Sequence, residues 1–331
     1  MLPIRLLPWQ PEYGTAMQFD ADPEDEPRAV PDLRVERDVW APVTPRAAAP
    51  AVRIVDGVRR AEAHALDDDG GVSPVFGLFG SFAVGAVACE PGQARILHEY
   101  VRVERRYLYT SQVEVADRDL VAGSARMRFQ SRPVATASRA NDLVAALNRA
   151  MLDEEARLAE ALSEDESVLT LVDGPLRSLR SSGRRVVGYV KRIQQWYVER
   201  AEIELLPTLV PGERTPIFQI PASAGDGNHL AEGRYSWFVR LPTGGPHIHP
   251  LGGVLRLECS AGVSLDRAVE LADQTAALLP RLASSPVRDP RAPQNLTPVG
   301  ALEAHLTHLL GDRRLIHRVL AASLAREGAT A

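Results

Sequence analysis

Val168-Leu169-Thr170-Leu171-Val172-Asp173-Gly174-Pro175-Leu176 and, after a short basic segment, Val186-Val187-Gly188-Tyr189-Val190-Lys191 decide how this chain folds. Each begins with a short uncharged run, the pattern of a strand buried on both faces. The first ends at an acid followed by Gly-Pro, which favours a turn. The second ends at a lysine. Before them, residues 141–162 carry Leu143, Leu147, Met151, Leu158 and Leu162 at helical spacing. Earlier still, residues 52–65, 75–89 and 94–110 read as strands. The third of these alternates through Ile96, Tyr100, Val101, Val103 and Tyr107.

The predicted order is three antiparallel strands, a helix, a strand, a short crossover and a strand. It is the order of a ribonuclease H-like fold. The expectation is an α/β domain over residues 51–331, a mixed sheet flanked by helices. An extended arm rich in Pro, Asp, Glu and Arg precedes it over residues 1–50. Further strands are expected at 235–241 and 253–259, a helix at 265–282, and one or two helices over 299–326. In the arm, Trp9, Trp40 and Val39-Trp40-Ala41-Pro42-Val43 offer an apolar docking segment.

Composition narrows the function. A hydrophobic fraction of 45% and a charged fraction of 24% are those of a globular protein. No apolar run reaches the about 18 residues needed to span a bilayer. The N-terminal apolar stretch is too short and too Pro-broken for a signal peptide. Cys89 and Cys259 form no disulfide framework, so a reducing cytoplasm is expected, with no membrane partner. A net charge of −5 excludes a passive nucleic-acid coat. It leaves room for an enzyme that grips phosphate with a local arginine cluster.

The cationic residues are thirty-seven arginines and a single lysine, Lys191. Arginine supplies surface charge, whereas a compact ammonium on a flexible stem suits chemistry. A neutral codon accident is the plain alternative. Asp56 and Asp173 each stand where an apolar run gives way to Gly, and neighbouring strand ends would bring them together. Such carboxylates repel unless a cation lies between them. Hard divalent ions take oxygen ligands, and two ions about 3.5–4 Å apart serve phosphodiester hydrolysis. An Asp-Gly turn is the plain alternative for either one alone. The helix offers a third carboxylate, Glu154 or Glu155. On a helical wheel Glu154 lies nearer the middle of the apolar stripe and Glu155 at its edge. Arg177, Arg180, Arg184 and Arg185, after Asp173, are candidate DNA-phosphate contacts. Arg102, Arg105 and Arg106 are a weaker second track.

Val55-Asp56-Gly57-Val58-Arg59, Leu171-Val172-Asp173-Gly174-Pro175-Leu176 and Val187-Gly188-Tyr189-Val190-Lys191-Arg192 resemble the three main motifs of the NurA nucleases. Pro298-Val299-Gly300-Ala301-Leu302-Glu303-Ala304-His305 is similar to that family's closing motif, and Val35-Glu36-Arg37-Asp38-Val39-Trp40 to its N-terminal stretch. The resemblance implies a DNA nuclease dependent on Mn²⁺, or alternatively Mg²⁺, with two ions. It implies 5′-end resection and single-strand endonuclease activity in double-strand break repair. It also implies a homodimer working with a hexameric HerA-type ATPase translocase. The N-terminal arm is our own candidate for that contact. By position, Asp56, Asp173 and Glu154 or Glu155 would be metal ligands, and Lys191 and His305 accessory catalytic residues. Val58 stands where the family often has Ser or Thr, and Asn295-Leu296-Thr297 where many members carry Tyr. Two other classes are compatible with the pattern: an inactive adaptor capping a translocase ring, and an actin-like phosphotransferase with Asp-Gly turns at its strand ends.

Overall fold

The computed structural model describes residues 5–6, 30–67, 75–111, 114–137, 139–176, 184–191, 193, 196–222, 233–242, 251–285 and 293–330. In chain order the strands are β1 (Arg5–Leu6), β2 (Val52–Asp67), β3 (Val75–Glu90), β4 (Gln93–Ile96), β5 (Arg102–Tyr109), β6 (Arg118–Ala122) and β7 (Ala125–Pro133). After helix α1 (Ala140–Leu162) come β8 (Leu169–Asp173), β9 (Val186–Val190), the short α2 (Arg200–Ile203), β10 (Phe218–Ile220), β11 (Arg234–Arg240) and β12 (Val254–Ser260). Helices α3 (Leu265–Leu282), α4 (Thr297–Leu310) and α5 (Arg313–Thr330) close the chain.

One mixed sheet runs β10-β11-β12-β9-β8-β2-β3-β5-β7-β6, with β1 beside β2 and β4 beside β3. At its centre β2 pairs antiparallel with β3 and β3 with β5, while β2–β8 and β8–β9 are parallel. Parallel neighbours need a crossover, and α1 supplies one between β7 and β8. Its apolar row Leu143, Leu147 and Met151 packs with Val55, Phe82 and Val172 on one face. Helices α3 and α4 pack on the other face against Ile54, Leu171, Tyr189 and Leu257. α5 lies against Phe79, Tyr107 and Phe129 at the β6–β7 end.

The expected β-β-β-α-β-β order is present, with three differences. The predicted third strand is broken. Residues 97–101 bulge away opposite Gly85 and Ala86, so that β4 and β5 pair with separate parts of β3. A hairpin, β6–β7, stands before α1, where the sequence suggested no element. Third, Asp56-Gly57 is not a turn: β2 runs straight through it for 16 residues, because β3 is an equally long partner. The Asp-Gly turn shared with actin-like phosphotransferases is therefore missing at this position.

The described second half of the arm docks on the body. Val43 and Arg214 bridge, as do Asp32 and Gln219. Trp40 lies against Phe218 and donates its indole N–H to the Glu202 carbonyl. Trp9 lies outside the described residues. Among the described residues no helix is long and apolar enough to cross a membrane.

Candidate active site

Side chains two apart on a strand share a face. Asp56 therefore shares the face of Ile54, and Asp173 that of Leu171, beneath α3 and α4. The parallel pairing of β2 with β8 stops at Val55 and Val172, so the two aspartates come next, side by side. Asp173 registers with Tyr189 on β9, and Lys191 follows two residues later on the same side. The end of β8, the end of β9 and the middle of β2 thus deliver Asp56, Asp173, Tyr189 and Lys191 to one place.

Glu155 joins them from the opposite face. It continues the buried α1 row of Leu147, Met151 and Ala159. Its carboxylate lies over Gly57, where a Cβ would come within 2.5 Å of Oε1. Gly57 is therefore the gap that lets an acid from α1 reach the β2 edge. Glu154, partly buried, is engaged instead by Arg157. The wheel reading had placed Glu154 nearer the stripe centre because it counted Leu158 as core. Ala159 is the buried residue instead, which turns the stripe toward Glu155.

These acids strain one another. Burial, then the charge of Asp173, raises the Asp56 pKa well above the carboxylate range, and Glu303 adds to the rise. Glu155 is raised well above it by burial, then by Asp56 and Asp173. Burial raises Asp173 despite opposition from Lys191. Two like charges 4 Å apart repel by about 4 kcal/mol at an effective dielectric of ~20. Asp56 Oδ2 is buried with no hydrogen-bond partner. The buried Tyr189 hydroxyl stands beside Asp173 without reaching hydrogen-bond geometry, and burial and the acids around it raise its pKa.

Lys191 is the ammonium among these acids. Its Nζ lies 2.5 Å from Asp173 Oδ2 and 2.8 Å from Asn295 Oδ1, and 5.5 Å from the Tyr189 ring centre. Asn295, which precedes α4, thus braces the lysine. The turn after Asp173 is braced as well. Gly174 adopts φ +100° and donates its N–H to the Tyr189 carbonyl. The Leu176 N–H donates to Glu258 at 2.7 Å, and Glu258 is held by Arg256 and Arg234. Composition and spacing gave no sign of Asn295, Glu258 or Tyr189, because each enters from an element distant in sequence or serves in a strand core.

α4 crosses above the site and carries Glu303 and His305. His305 is half-buried, with its ring edge-on to His98 at 5.1 Å. Leu309, further along the same helix, is exposed.

The arginine candidates lie elsewhere. Arg184 donates to the Glu160 carbonyl, and Arg185 to the Glu166 carbonyl and Gln274. Both precede β9, at the end of the strand opposite Lys191, because the crossover from β8 returns to the start of the sheet. There they cap the C-terminal end of α1 and the turn after it. Arg177 and Arg180 lie outside the described residues. Of the second track, Arg105 donates to the Leu310 carbonyl, Arg106 pairs with Glu104, and Arg102 bonds local carbonyls. All of these are structural contacts.

The donor set is hard oxygen, with one orphaned buried carboxylate oxygen at its centre. This chemistry fits a divalent cation. Among the described residues no three of His, Cys, Asp and Glu stand ready to hold an ion as they are. Binding one therefore requires these side chains to draw together.

The family model described as the NurA domain matches residues 69–299. That span includes Glu155, Asp173 and Lys191 and leaves out Asp56, Glu303 and His305. Among curated proteins none matches. Among solved structures, the crystal structure of the NurA nuclease from Sulfolobus solfataricus is similar with a TM-score of 0.47 and 10% identity. The match covers 87% of this chain and 88% of that one.

Proposed function

This chain belongs to the NurA nuclease family, and from that premise we propose that it is a divalent-metal-dependent deoxyribonuclease. The observation that carries the reading is the buried, partnerless Asp56 Oδ2 amid acids that raise one another. Strained carboxylates of this kind mark functional sites more often than scaffolds. The strand order β5-β3-β2-β8-β9, with its change from antiparallel to parallel at β2, supports the ribonuclease H-like reading.

In this proposal Asp56, Glu155 and Asp173 hold the metal, Mn²⁺ or Mg²⁺. When bound, the metal supplies a water activated for attack and charge to offset the phosphate. Lys191, steadied by Asn295, holds its ammonium beside Asp173 to meet the scissile phosphate. His305 is an accessory group on the helix above. Tyr189 and Glu258 keep Asp173 and its turn in position. Work on DNA ends, homodimer formation and partnership with a HerA-type hexameric ATPase belong to the same proposal. Glu36 of the arm is tied to Arg214. The ATPase contact is therefore best sought by deleting residues 1–29, which leaves that anchor intact.

The test is digestion of end-labelled single- and double-stranded DNA in Mn²⁺, Mg²⁺ or EDTA, with Asp56→Ala and Lys191→Arg alongside. Metal-dependent cleavage that is lost in Asp56→Ala and weak in Lys191→Arg is expected. Absence of cutting in every metal, with a HerA-type ATPase and ATP supplied, would overturn the enzyme in favour of an adaptor.

A further inference from the structure

α4 rests on a buried ridge of Val299, Leu302, Leu306 and Leu310. Leu302 Cδ1 and Leu306 Cδ2 lie 3.3 and 3.2 Å from where a Cβ on Gly85 would project. Gly85 is the cross-strand neighbour of Asp56. The absence of a side chain there lets the helix settle one strand away from Asp56. At about 100° per residue, Glu303 and His305 leave the ridge on opposite flanks. His305 meets His98, in the 3-10 turn leading into β5, on the β3 side. The Glu303 flank therefore lies toward β2. Its charge is felt there by Asp56, Asp173 and Tyr189.

We propose that Glu303 is a further carboxylate ligand of this centre, reaching down from α4 to the divalent cation held by Asp56, Glu155 and Asp173. The proposal rests on reading the site as a metal-dependent nuclease. The chain places a further acid on the flank above Asp56 and Asp173, with the partnerless Asp56 Oδ2 beneath it. A hard cation turns that repulsion into shared ligation. The sequence motif drew attention to His305; the position two residues earlier is the one directed at the acids.

The experiment is Mn²⁺ titration by calorimetry and thermal melting of the full chain, with Glu303→Gln and a control, Asp153→Asn, on the exposed side of α1. Glu303→Gln is expected to bind Mn²⁺ at least about tenfold more weakly, and so to gain less melting temperature from it. In EDTA it should still fold and melt near the parent. Asp153→Asn should match the parent in both. Equal Mn²⁺ affinity in Glu303→Gln and parent overturns the proposal and leaves the nuclease reading intact. A variant that melts far lower in EDTA, or does not fold, also overturns it, by making Glu303 a structural residue. A parent that takes up no Mn²⁺ removes the metal-dependent reading itself, and the proposal with it.

Discussion

Two groups of wholly or partly buried acids in this molecule are built in opposite ways. Around Arg214, Glu36 and Asp273 accept from a guanidinium that is 1% exposed, at 2.8 and 2.7 Å, and Glu36 also accepts from the Ile217 N–H. Burial alone would raise Glu36; the Arg214 hydrogen bonds and charge outweigh it, and its pKa is lowered. Around Asp56, burial and neighbouring acids act together and the pKa is raised. The first group fastens the arm to α3 and the β10 end. In the second, the acids repel one another and no guanidinium is built in beside Asp56. Acids of one chemical type thus separate into a scaffold group and the proposed site by whether their partners are built in.

The largest effect expected from breaking this contrast is at Asp56. Asp56→Asn should cut cleavage by about 10³-fold, the upper range for loss of one preorganised electrostatic contact. Its melting temperature in EDTA should be equal or higher. A variant that loses activity only because it melts well below the parent would erase the distinction. Arg214→Met should do the reverse. Removing one member of a buried pair strands the others and costs about 3–5 kcal/mol. Urea unfolding should show that loss, while cleavage per folded molecule persists.

A narrower probe is Gly57→Ala. The new methyl would fall 2.5 Å from Glu155 Oε1, 3.0 Å from Met151 Cγ and 3.2 Å from the Ala83 carbonyl. The flexible carboxylate yields first, so the fold should survive. Cleavage should fall about 100-fold, the scale of a misplacement near 1 Å. Parental activity would show that Glu155 is not needed where it stands.

The smallest effect is on pH dependence. A carboxyl whose folded pKa is raised binds its proton more tightly folded than unfolded. Its contribution is therefore complete below the ordinary carboxylate range and is lost as pH rises through the raised value. Asp56, Glu155 and Asp173 are of this kind. Glu36 and Glu258 are lowered, so their contribution is present above the ordinary range and lost as pH falls through the lowered values. In EDTA the melting temperature should decline from about pH 5 to pH 8, and Mn²⁺ should flatten that decline. A metal-free profile that rises over the same interval would contradict the assignment of the strained group.

Much of this was legible in the chain. The apolar runs of β8 and β9 were visible because strands buried on both faces need no alternation. The helix expected at 265–282 is α3, and in the structure the Ser264 side chain caps its start. The β6–β7 hairpin had a signal that went unused: Met127, Phe129 and Ser131 alternate with Arg126, Arg128, Gln130 and Arg132. Asp56-Gly57 misled because its composition is that of a turn, whereas a long partner strand carried β2 through it. Arg184 and Arg185 misled because nearness in sequence to Asp173 is not nearness in space when a crossover returns to the far end of a strand.

By itself the sequence determined the order of the central elements β2, β3, α1, β8 and β9, the candidates Asp56 and Asp173, and the singular position of Lys191. Each depends on local pattern or residue type. Only the tertiary structure decided between Glu154 and Glu155, revealed Gly57 as the gap that admits one of them, and set Asn295, Glu258 and Glu303 around the acids. Those relations join residues far apart in the chain. They depend on which face of a helix meets which strand, and on what side-chain volume is missing where they meet, which no linear spacing records.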